Sequence, residues 1–64
     1  MNETFARITL ELPVHQTLAL AQFARRVGWR EIRMNSVDLE QAHEVRAAIE
    51  VLRKALAEEG FLAR

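Results

Sequence analysis

At 64 residues, half of them hydrophobic and none of them cysteine, the chain has room for one domain spanning 1–64 and no disulfide or thiolate metal site to brace it. A chain this short hides only about 60% of its unfolded surface on folding, so association is the remaining source of stability. Nine basic and nine acidic residues cancel, which argues for neither nucleic acid nor an anionic membrane on bulk charge. No apolar run approaches the roughly 18 residues of a membrane span, and the polar start MNET lacks a secretory pattern. A soluble, cytoplasmic protein with no membrane partner is expected.

Residues 5–12 alternate strictly, with Ile8, Leu10 and Leu12 on one side and Arg7, Thr9 and Glu11 on the other, which predicts a strand with one core face and one wet face. A lone strand cannot satisfy its own N–H and C=O groups, so the pattern predicts pairing with the same strand of a second copy. The expected fold is therefore α+β, a strand followed by two main helices, assembled as a homodimer. Pro13 suits a first helical turn and opens a helix predicted over 13–27. Its apolar residues, among them Val14, Leu18, Leu20, Phe23 and Val27, cover more than half the circumference and call for two neighbours. Ile8, Leu10, Leu12, Leu18 and Phe23 are the expected dimer contacts.

Gly28 is expected to end that helix as a left-handed cap, with Trp29 folding back onto Phe23 and Ala24. The segment 29–37 favours a short helical turn carrying Trp29, Ile32 and Met34 inward and ending at Asn35 and Ser36; a short extended piece is the alternative. Asp38 should cap the second main helix, with Gln41 closing a reciprocal capping box. Ala42, Val45, Ile49, Leu52 and Leu56 recur at heptad spacing, a seam that fits packing within one domain as well as a two-helix coil. Arg46, Glu50, Lys54 and Glu58 make a solvated stripe of alternating sign. Gly60 and Phe61 mark a second left-handed stop, with Phe61 reaching Leu56.

Nothing in this pattern assembles a nucleophile with a base, a catalytic carboxylate pair or a phosphate-binding glycine loop. His15 and His43 fall on different helices and read as exposed histidines rather than metal ligands. A non-enzymatic binding protein without metal or cofactor is expected.

The strand and two-helix order, with the segment RITLELP, resembles the ribbon-helix-helix DNA-binding family. That resemblance implies a two-stranded intersubunit ribbon entering the major groove, with Arg7, Thr9 and Glu11 as the groove-reading positions and a role in transcription regulation. Three features depart from the family pattern, the first being an interhelix segment, Trp29 to Val37, longer than the tight turn expected. Glu11 sets a carboxylate near phosphate, and Asp38, Glu40 and Glu44 put acid at the helix start that would meet the backbone. The string ITLELPVHQTLALAQFARRVGW also resembles short uncharacterised proteins of proteobacteria, their phages and plasmids, and the likeness brings no activity or site with it.

Arg25, Arg26, Arg30 and Arg33 form a locally basic stretch beside Trp29. Complementing the helix dipole is one account of them. Recognition of phosphate or an acidic protein surface by Arg25, Arg26, Trp29, Arg30 and Arg33 is the other. Two binding functions stay open: a dimeric DNA-binding regulator, and a protein-binding accessory factor of bacterial or mobile-element setting.

Overall fold

The chain is described by a computed structural model over residues 4–62; Met1 to Glu3, part of the polar start, lie outside them. Within that range the elements are α1 (Val14–Arg26), α2 (Trp29–Met34) and α3 (Leu39–Glu58).

Each boundary has a local cause. Pro13 takes φ −54°, and its carbonyl accepts from the amides of Gln16 and Thr17 at 3.0 Å each, which starts α1. At the far end the Val27 amide still donates to the Phe23 carbonyl at 2.8 Å, after which the chain leaves the helix. Gly28 does not form the expected left-handed cap: with φ −105° and ψ 174° it is extended and serves as the N-cap of α2. Its amide donates to Glu31 Oε1 at 2.8 Å. A new helix begins too soon for a left-handed cap. A Cβ at this position would sit 3.0 Å from that carboxylate oxygen, so a larger residue would push the Glu31 side chain back by a few tenths of an ångström.

The helical turn favoured for 29–37 is α2, and it ends where Asn35 and Ser36 turn back. Asn35 Nδ2 donates to the Glu31 carbonyl at 2.8 Å and Ser36 Oγ to the Ile32 carbonyl at 2.7 Å. Asp38 caps α3 as its sequence position suggests, accepting from the Gln41 amide at 2.8 Å. The return bond differs by one residue, since Gln41 Oε1 accepts from the Val37 amide rather than from Asp38. Gly60 closes α3 at φ +87°. The Phe61 amide donates to the Leu56 carbonyl at 2.8 Å and that of Gly60 to Ala57 at 3.0 Å, the paired bonds of a Schellman ending.

The expected strand is absent, and with it the α+β fold. Among the described residues there is no strand or sheet; residues 4–13 form an irregular arm ahead of α1. The faces meant for the core are exposed, Ile8 at 77% and Leu10 at 64%. Alternation fixes which side a residue falls on, but a strand also needs a neighbour to bond, and one copy supplies none. The regular structure of the described residues is entirely helical.

α1 and α2 both pack on α3 and not on one another. Among the described residues, Ala21, Ala24, Ile32, Ala42 and Leu56 are buried, with Leu52, Phe61 and Leu62 partly buried against Ala21, Ala24 and Leu56. The heptad seam of α3 thus serves internal packing: Ala42 and Leu56 are buried, Ile49 and Leu52 half-buried, and Val45 lies at the edge. Among the described residues no helix is long and apolar enough to cross a membrane.

Candidate functional site

The most distinctive surface lies where the arm passes the α1–α3 seam. A groove of about 680 Å³ is bounded there by Ile8, Leu10 and Leu12 from the arm, Val14 and Leu20 from α1, and Leu52, Leu56 and Phe61 beyond it. Its walls are largely apolar. Glu11 and Glu59 are the charged residues on its rim. The groove exists because α1 turns Ala21 and Ala24 toward α3, leaving its larger apolar residues on the flanks of that narrow contact.

The structure brings together only part of the expected dimer contact set. Ile8, Leu10 and Leu12 line the groove; Phe23 does not, lying instead in a separate depression with Gln22, Arg26, Val27 and Glu31. Leu18 is half-exposed and about 140° around α1 from Phe23, at roughly 100° per residue. The two neighbours expected for α1 reduce to one within the chain, namely α3. Val51 of α3, one turn before Ala55 on the groove wall, is also exposed.

Trp29 does not fold back over Phe23 and Ala24. Its ring stacks against that of His43, with centroids 5.0 Å apart, and Arg46 stands over it at 5.8 Å. Trp29 thereby ties α2 to α3, with much of its face occupied. Ile32 points inward as expected, while Met34 is 73% exposed.

The arginines remain at the surface. Arg25 and Arg26 occupy the last turn of α1, Arg30 and Arg33 lie on α2, and the ion pair found among the described residues is Glu50–Arg53, which involves none of them. Glu31, the acid within the basic stretch, is spent on the Gly28 amide. Arg7, Thr9 and Glu11 are exposed along the arm, with no ribbon to carry them. The described residues contain no group of three or more His, Asp or Glu able to hold a metal ion.

Arg53 was not legible as special in the sequence. Its Nε donates to the Ala24 carbonyl and its Nη2 to the Val27 carbonyl at 3.2 Å, while Nη1 pairs with Glu50. This clasp fixes the end of α1 on α3. No local motif announces a contact spanning this much chain.

The sequence matches, over residues 1–64, the family described as a family of unknown function (DUF7706). The chain belongs to that family. No curated protein and no solved structure matches it.

Proposed function

We propose that this DUF7706 chain is a non-enzymatic, cytoplasmic binding protein that acts by presenting the arm and the α1–α3 groove to a protein partner. The observation that carries this is the exposure of Phe5, Ile8, Leu10, Leu12, Val14 and Leu18 in one continuous stretch of chain leading into the groove. Contiguous apolar surface of that kind marks interaction sites on soluble proteins. Apolar walls with two carboxylates on the rim suit an apolar protein segment far better than phosphate.

A second reading rests on Arg25, Arg26, Arg30 and Arg33, exposed and outside the observed ion pair. They supply the cations for an acidic surface or the backbone of DNA. Photo-cross-linking in cells separates the two. With benzoylphenylalanine in place of Leu12, we expect protein adducts of defined mass, lost in Leu52→Asp and retained in Arg30→Glu with Arg33→Glu. Adducts to nucleic acid alone, or loss through the arginine substitutions alone, would reject the groove in favour of the basic surface.

A further inference from the structure

We infer that the occupant of the groove is a second copy of the same chain, so that arm and groove form a two-fold, self-complementary interface. This rests on the groove being the binding surface. Three observations select a copy of itself over a foreign partner.

The first is area. The chain exposes 5898 Å², whereas a folded monomer of 7.4 kDa is expected to expose about 4200 Å² from the scaling of surface with mass. The excess of about 1700 Å² per chain, part of it on the exposed arm, is enough to supply one face of a stable homodimer.

The second is the core. Among the described residues, three of the five buried apolar residues are alanines, and no large side chain is fully buried. Such a core does not hold a chain of this size together unaided. The partner must then be present whenever the chain folds, and a second copy is the one whose supply is tied to the chain's own synthesis.

The third is charge. The groove rim carries Glu11 and Glu59, and the arm beside it carries Arg7, which is outside the observed ion pair. Each copy brings the other a counterion, as a two-fold contact requires of a single surface.

Phe61 and Leu52 lie across the groove from the arm, which makes the interface readable between molecules. The full chain should sediment at twice its 7.4 kDa mass at concentrations of about 10 to 100 µM, a range in which an obligate dimer stays associated. Leu10→Asp should weaken association by about 100-fold or more, the scale expected for an acid placed in an apolar contact. Should that variant also unfold, a second measurement stands by itself. The natural chain has no cysteine, so a spin label on Glu11→Cys in unlabelled protein can be mixed with isotope-labelled unmutated chain. Broadening of the Leu52 and Phe61 amides in the labelled copy supports the dimer. A monomer at 100 µM, or the absence of any intermolecular broadening, overturns it. If the chain is monomeric and the groove cross-links a different protein in cells, self-association fails while the binding role stands; if the groove cross-links nothing, both fail.

Discussion

Replacing Arg53 by methionine keeps most of the aliphatic stem and removes every donor of the clasp on α1. The effect is calculable because the acceptors have no ready substitute. In an uninterrupted helix the Gly28 amide would donate to the Ala24 carbonyl, but that amide is committed to Glu31, and Arg53 Nε takes its place. The Val27 carbonyl, past the end of α1, accepts from Nη2. Hydrogen bonds from a charged donor contribute about 1.5–3 kcal/mol each when buried. The Arg53 side chain is 33% exposed, so water recovers part of that loss, and a total of about 2 kcal/mol is expected for Arg53→Met. Arg53→Lys should recover less than half, because an ammonium cannot reproduce the guanidinium fork. Glu50→Ala should cost at most about 1 kcal/mol, its carboxylate being largely solvated. Urea unfolding followed by circular dichroism, at one fixed protein concentration because association shifts the midpoint, gives all three values. A loss below about 0.5 kcal/mol for Arg53→Met, the scatter of neutral surface changes, would refute the clasp.

Two local devices make further predictions. Asp38→Ala removes the acceptor of the Gln41 amide and should cost about 1 kcal/mol in the same unfolding assay; an unchanged midpoint would mean the cap contributes nothing. Gly60→Ala meets no steric neighbour within 4 Å, so its loss of about 1–2 kcal/mol should come from the positive φ alone. Gly60→Asn should lose distinctly less, and equal losses for the two would contradict the left-handed ending as the cause.

The sequence is most legible where one residue determines one geometry. Pro13, Asp38 and Gly60 place helix ends to within a residue, since each acts through its own backbone or nearest amides. Gly28 shows how the same logic goes astray: glycine after a helix suggests a left-handed cap, but the competing Glu31 carboxylate three residues on claims the amide and draws the chain into α2. Residues 5–12 fail for a different reason. Period-two alternation records a two-faced environment, and the chain has that pattern without a neighbouring backbone to turn it into a sheet. At the candidate site, Ile8, Leu10 and Leu12 are recoverable from their spacing. Leu52 and Phe61 opposite them, like Arg53 on Ala24, depend on tertiary folding that joins distant segments.

The division of α3 into two lodgings has a consequence for how the molecule opens. Trp29 and Ile32 rest along its first half, near His43, Arg46 and Ile49, whereas Ala21 and Ala24 rest along its second, near Leu52 and Leu56. With no packing between the two shorter helices, each is held by α3 alone, so α2 can lift from α3 without breaking the contacts of α1. Such an opening bares the first turns of α3 and leaves the groove on its second half intact. A substitution in the Trp29 to Val37 segment is thereby expected to act on one end of α3 and to leave the arm-side surface at the other end as it is.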